Sequence, residues 1–116
     1  MQSVKDLDVY KITTEFVVDI YKITDTFPKS EQFGLVSQIR RSAISINSNL
    51  VEGAARINTG EYRHFVGIAR GSAAELSFQI EISEKFGFIN KDVANSLITT
   101  IERICKMLSG IITKLK

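Results

Sequence analysis

Residues 38–56 read QIRRSAISINSNLVEGAAR. Wound at about 100° per residue, this run and its lead-in form three stripes. Leu35, Val36, Ile39, Ala43, Ile46, Leu50 and Ala54 share an apolar face. Gln38, Arg41, Ser45, Ser48, Asn49, Glu52 and Arg56 share a narrow polar face, and Arg40, Ile44, Asn47, Val51 and Ala55 a mixed third one. A surface helix needs one apolar stripe and one solvated face. A helix with a second, semi-apolar face is expected to touch more than its own core, which points to an interaction protein that assembles.

Working outward, the same period recurs on both sides. Phe16, Ile20, Ile23 and Phe27 mark the later part of a first helix, predicted over 6–25. Thr26-Phe27-Pro28 stops it, because the residue before proline is pushed out of the α region. A connector over 28–34 carries a short helical turn near Ser30–Phe33. The second helix is predicted over 35–56. Asn58 caps a third helix over 59–86, with Glu61 as its capping-box partner. Tyr62, Phe65, Val66, Ala69, Ala73, Leu76 and Ile80 form that helix's core face. Gly87 supplies a left-handed stop and Phe88 folds back on the last turn. Asn90 caps a fourth helix over 91–114, striped by Val93, Leu97, Ile101, Ile104, Leu108, Ile111 and Leu115. No strand alternation, repeat or linker interrupts the pattern. The predicted fold is all-α: a single domain over 1–116, an antiparallel up-and-down four-helix bundle, slender because its helices are long for the chain.

The bulk composition agrees. A chain of 116 residues, 44% hydrophobic and 24% charged, supports one packed core. No apolar run reaches the roughly 18 residues of a membrane span, and no basic stretch leads into an apolar block at the N-terminus. One cysteine, Cys105, cannot form an internal disulfide, which fits a reducing cytoplasm. The net charge of +2 is small, but its placement is uneven. Arg40, Arg41, Arg56, Arg63 and Arg70 lie in a middle segment without lysine, while all nine lysines lie outside it. Arginine suits interfaces and bidentate phosphate contacts; lysine suits solvated surfaces.

The third helix carries a second stripe of Gly67, Gly71, Glu75, Phe78 and Ile82, flanked by His64 and Ile68. Each glycine in a helix interior costs about 1 kcal/mol relative to alanine. The pair is read as a close helix–helix contact, inside the bundle or across subunits. Together with Ile44 and Val51 of the second helix, Gly67, Gly71, Phe78 and Ile82 are the candidate contact residues.

Arg41, Ser45, Asn49 and Glu52 form a ladder at spacings of four, four and three. One reading is a strip that binds a nucleic-acid backbone. The favoured one is a structural hydrogen-bond network, joined by Glu75, in which Arg41 pairs with Glu52 or Glu75, because Glu52 would repel an anion. Arg40, Arg63 and Arg70 are better candidates for nucleic-acid contact. Lys106, Lys114 and Lys116 add a weakly basic end. Catalytic, cofactor and metal sites are not expected. His64 is the only histidine, Cys105 has no partner in sequence, and the chain holds neither a Glu-x-x-His pair nor a phosphate-binding loop.

The run FPKSEQFGLVSQIRRSAISINSNLVEGAAR resembles the signature of the bacterial four-helix-bundle proteins also called 23S rRNA-intervening-sequence proteins. The pattern falls on Phe27-Pro28, Glu31, Gly34-Leu35, Gln38, Arg40-Arg41, Ser45-Ile46, Asn49-Leu50 and Glu52-Gly53. A second block, EYRHFVGIARGSAAEL, matches at Phe65, Ala69, Gly71-Ser72 and Glu75-Leu76. Tyr10 stands where many members carry tryptophan, and Ser42 where alanine is usual. The resemblance implies an up-and-down bundle that closes into a homopentameric ring in a bacterial cytoplasm. Members are often encoded within insertions in 23S rRNA genes, and a related branch serves diversity-generating retroelements, where nucleic-acid binding is proposed. The name reflects gene location, and no activity is assigned to the family as a whole. The expected function is therefore non-catalytic. A homo-oligomer binds RNA or DNA through basic patches, with no membrane or small-molecule substrate, or else it is a protein-interaction scaffold without nucleic acid. Five chains of +2 carry about +10, where counterion release matters.

Overall fold

The structure, a computed structural model, describes residues 3–115. Four helices follow one another: α1 (Asp8–Thr24), α2 (Leu35–Ala54), α3 (Thr59–Lys85) and α4 (Lys91–Lys114). Short 3-10 turns cover Val4–Asp6 and Lys29–Glu31. Cross-helix hydrogen bonds fix the directions. Asn47 reaches Thr14 while Arg40 reaches Thr24, so α1 and α2 are antiparallel. Ser42 meets Glu75 while Ser45 meets Ser72, so α2 and α3 are antiparallel too. Arg63 reaches Ile112 and Arg70 reaches Ser109, which reverses α4 against α3. The result is the expected four-helix bundle, 43 × 24 × 20 Å, slender as the helix lengths require.

The stripes become the core. Ile20, Ile39, Ile46, Leu50, Leu76, Ile80, Ile101, Ile104 and Leu108 are fully buried. Each contributes about 2 kcal/mol of transfer free energy before the entropy of ordering is subtracted. Thr13, Thr24 and Ser83 are buried without penalty, because each hydroxyl donates to the carbonyl four residues back, at 2.6, 2.7 and 2.7 Å. The grip between helices is uneven. α2 packs along α3 and α3 along α4, whereas α1 lies mainly on α2 and meets α4 only sparsely.

The helix ends follow local chemistry. Asn58 Oδ1 accepts from the Glu61 N–H at 2.7 Å, and the Asn58 amide donates to Glu61 Oε1 at 3.0 Å. Asn90 Oδ1 accepts from the Val93 N–H at 2.8 Å. At the end of α3, Gly87 sits at φ +80°. The Phe88 N–H then bonds Ser83 O and the Gly87 N–H bonds Glu84 O, both at 2.9 Å, a Schellman stop. Phe88 packs on Phe27, with centroids 5.4 Å apart, which ties the α3–α4 corner to the end of α1.

Three boundaries differ from the sequence reading. The first helix begins at Asp8, not residue 6, because Ser3 caps a separate 3-10 turn and leaves Leu7 extended. The second ends at Ala54, not residue 56: the Arg56 N–H turns back to Gly53 O, three residues away. The connector's turn lies at Lys29–Glu31 rather than Ser30–Phe33. Among the described residues no helix is long and apolar enough to cross a membrane.

Candidate functional site

α2 and α3 approach closely at Gly53. A Cβ placed there would lie 2.9 Å from Phe65 Cβ, 3.1 Å from Tyr62 Cδ1 and 3.2 Å from Tyr62 O. Only glycine fits without a shift. Toward the other end the two helices leave a groove of about 640 Å³, lined by Gln38, Arg41, Ser42, Ser45, Ser72, Glu75, Phe78 and Gln79. Gln38, Arg41, Ser45, Ser72 and Glu75 are among the positions that carry the family resemblance, so the groove joins both blocks of the signature.

Its floor is a hydrogen-bond network. Ser42 Oγ donates to Glu75 Oε1 at 2.7 Å, and Gln79 Nε2 approaches the same oxygen at 3.5 Å. Ser45 Oγ and Ser72 Oγ share a hydrogen bond of 2.8 Å. The Asn49 amide donates to Ser45 O and Ser45 Oγ at 2.8 and 2.9 Å. Gln79 is only 5% exposed, yet its Oε1 has no donor. A buried acceptor without a partner is costly.

The charged members of the ladder are placed differently from expectation. Arg41 pairs with neither Glu52 nor Glu75; it stands exposed on the α2 bank of the groove. Glu52 pairs with Arg56, which also reaches Glu61 at 3.7 Å and lies over the Phe65 ring at 4.8 Å. That cluster fastens the α2–α3 corner. Arg40 is committed to partners inside the chain. Its Nε donates to Thr24 Oγ1 at 2.9 Å, its Nη2 to Asp25 Oδ1 at 2.9 Å and Tyr21 O at 3.2 Å, and its guanidinium lies 4.3 Å from the Tyr21 ring centroid.

Gly67 and Gly71 lie on the outer face of α3, where an added Cβ meets nothing within 4 Å. Of the two contacts expected of them, the one inside the bundle is absent among the described residues, and Gly53 makes the close approach there. Phe78 is 62% exposed beside them, and Ile82 is half-buried. Arg63 and Arg70 lie along the α3–α4 edge with His64, Gly67 and Ile68. Arg63 Nε donates to Ile112 O and Arg70 Nη1 to Ser109 Oγ, each at 3.3 Å, and no Asp or Glu lies within ion-pair distance of either. On the opposite side, Ile44 and Val51, 42% and 45% exposed, face Val17 and Val18 across an apolar groove between α1 and α2. Of the weakly basic end, Lys106 and Lys114 are exposed on α4, while Lys116 lies outside the described residues.

Among the described residues no three His, Cys, Asp or Glu side chains cluster to hold a metal ion. Cys105 is half-buried, and burial pushes its thiol up from the ordinary value; Arg70 opposes that rise and Glu102 adds to it. Sequence reasoning missed Ser42, Ser72 and Gln79. Ser42 stands where alanine is usual in the family pattern, and its hydroxyl holds the Glu75 carboxylate. The usable signal was the antiparallel register, which sets residue 42 opposite 75, 45 opposite 72 and 38 opposite 79.

The family described as 23S rRNA-intervening sequence protein matches residues 5–110. No curated protein matches the chain. Among solved structures, the fold is similar to a crystal structure from Bacteroides thetaiotaomicron, described as a protein with unknown function from the S23 ribosomal protein family. The TM-score is 0.83 at 24% identity, covering 90% of this chain and 95% of that one. The likeness to that structure is one of fold. With both signature blocks facing one groove and the family match running nearly end to end, this chain belongs to the 23S rRNA-intervening sequence protein family.

Proposed function

We propose that this protein acts by assembly and binding rather than by catalysis: a bacterial, cytoplasmic homo-oligomer that holds RNA or DNA by its backbone. The observation that carries the nucleic-acid part is the α3–α4 edge. Arg63 and Arg70 stand two helical turns apart on it, exposed and without an Asp or Glu partner among the described residues, beside an open glycine surface that lets a phosphate approach. Phosphate contacts of this kind carry no sequence information and weaken steeply with salt. A ring of five, the assembly the family likeness implies, repeats the edge five times and multiplies a modest charge.

A second reading, a scaffold that binds only protein, draws on a different observation. Val18, Ile44, Val51 and Phe78 are exposed on two separate faces. Light scattering with a short RNA distinguishes the two. An oligomer that takes up RNA at low salt and releases it at high salt supports the first reading. An oligomer indifferent to RNA at both supports the second, and a monomer refutes assembly.

A further inference from the structure

We propose that the α2/α3 groove is where copies of this chain meet, with Arg41 on the α2 bank of one copy paired to Glu75 on the α3 bank of the next. The inference rests on the assembly part of the reading above and names its surface. Three observations point the same way. First, the two banks carry opposite charges that are unpaired among the described residues: Arg41 and Glu75 both line the groove, and neither has an ion pair. Second, the groove is short of donors. Ser42 and Gln79 both address Glu75 Oε1, while Oε2 receives no hydrogen bond among the described residues. A guanidinium has five N–H donors in a fixed fork and can address the exposed Glu75 carboxylate at Oε2. Third, Phe78 stands exposed on the same bank as Glu75, an apolar anchor next to the charge.

A surface with a positive bank and a negative bank is complementary to itself head to tail. Each Arg41 meets the Glu75 of the next copy in one direction around a ring, or the two pairs form reciprocally across a two-fold axis in a dimer. The same charges disfavour a nucleic-acid backbone here, since Glu75 lies on the groove floor. Small residues at Ser42, Ser45 and Ser72 leave room over that floor for side chains of a second copy.

The test is charge reversal, read as absolute mass by light scattering across a dilution series. Arg41 makes no side-chain hydrogen bond or ion pair among the described residues, so Arg41→Glu should leave the helical circular dichroism of the monomer intact. Assembly should weaken at least tenfold. Arg41→Glu/Glu75→Arg restores opposite charges in exchanged places and should recover much of the lost assembly. Glu75→Arg alone, which also removes the Ser42 bond, is read only beside its dichroism. Arg41→Glu that assembles like the unmodified chain overturns the proposal, as does a folded double variant that stays dissociated. Loss of RNA uptake with unchanged mass in Arg41→Glu also overturns it, since Arg41 would then contact nucleic acid. An unmodified chain that is monomeric refutes the broader assembly reading; an oligomer insensitive to both changes refutes only this surface.

Discussion

Replacing glycine by alanine should change stability in opposite directions at two places in this bundle. At Gly53 the new methyl would sit 2.9 Å from Phe65 Cβ and 3.2 Å from Tyr62 O, and neither atom is the free end of a flexible side chain. Relief requires α2 and α3 to move apart, an overpacking strain of about 1–3 kcal/mol. Better helix propensity returns about 1 kcal/mol, but less than that here, since Gly53 lies in the last turn of α2. Gly53→Ala should therefore lose about 1–2 kcal/mol. At Gly67 nothing lies within 4 Å of the added methyl. Only the propensity and unfolded-chain terms remain, so Gly67→Ala should gain about 0.5–1 kcal/mol. The two variants should differ by about 2 kcal/mol, or roughly 8 °C in Tm for a domain of this size. Guanidinium unfolding followed by circular dichroism, at a protein concentration low enough to favour single chains, measures both. The reasoning is refuted if Gly53→Ala is neutral or stabilising, because α2 and α3 would then not touch there. A loss at Gly67 would show that this face is covered in the dissociated chain.

Other outcomes follow from single contacts. Arg40→Ala removes hydrogen bonds to Thr24, Asp25 and Tyr21 and the stacking on Tyr21, so it should cost about 1–2 kcal/mol in denaturant unfolding and leave RNA uptake per folded chain unchanged. Arg63→Ala with Arg70→Ala should do the reverse: a near-native melt, weaker RNA binding, and a salt-dependence slope lowered by about two phosphate contacts. Asn58→Ala removes the α3 cap at the Glu61 N–H and should cost about 1 kcal/mol in the same unfolding assay. The Cys105 thiol, raised chiefly by burial, is protonated over a wider pH range than a free thiol. Its alkylation rate should therefore be slow at neutral pH and continue rising where a small-molecule thiol has levelled off; a plateau at or below the free-thiol position would contradict that burial.

The helices were legible because their signals are local. Asn58, Asn90 and the Gly87-Phe88 pair act on residues within five positions, and each does what its type and spacing imply. The α2 stripe was equally plain, since Ile39, Ala43, Ile46 and Leu50 have no neighbour that competes for burial. What the sequence left open needed a partner from elsewhere in the chain. Gly67 and Gly71 have the spacing of a close contact, but spacing does not say which face looks outward. Gly53 has no such spacing, and its tightness becomes visible only when Tyr62 and Phe65 are laid against it. Arg40 and Arg41 are adjacent in sequence and one helical step apart. The sequence offers no reason for the first to find Asp25 and Thr24 while the second finds nothing. That difference depends on where the end of α1 stops, which a single-helix reading does not contain.

The uneven grip on α1 has a dynamic consequence. With α2, α3 and α4 packed in sequence and α1 resting chiefly on α2, the last three helices form a unit that can outlast the loss of the first. Opening of α1 exposes Phe16 and Ile20 together with the faces of α2 and α4 they cover, at a free energy below that of whole-molecule unfolding. Amide protons of α1 should then exchange ahead of those of α3, as one cooperative group. A neighbour bearing on the apolar groove between α1 and α2, around Val18, Ile44 and Val51, would clamp the helix that the fold itself holds least. Contact between copies at that edge would tighten the individual subunit as well as join it to the next.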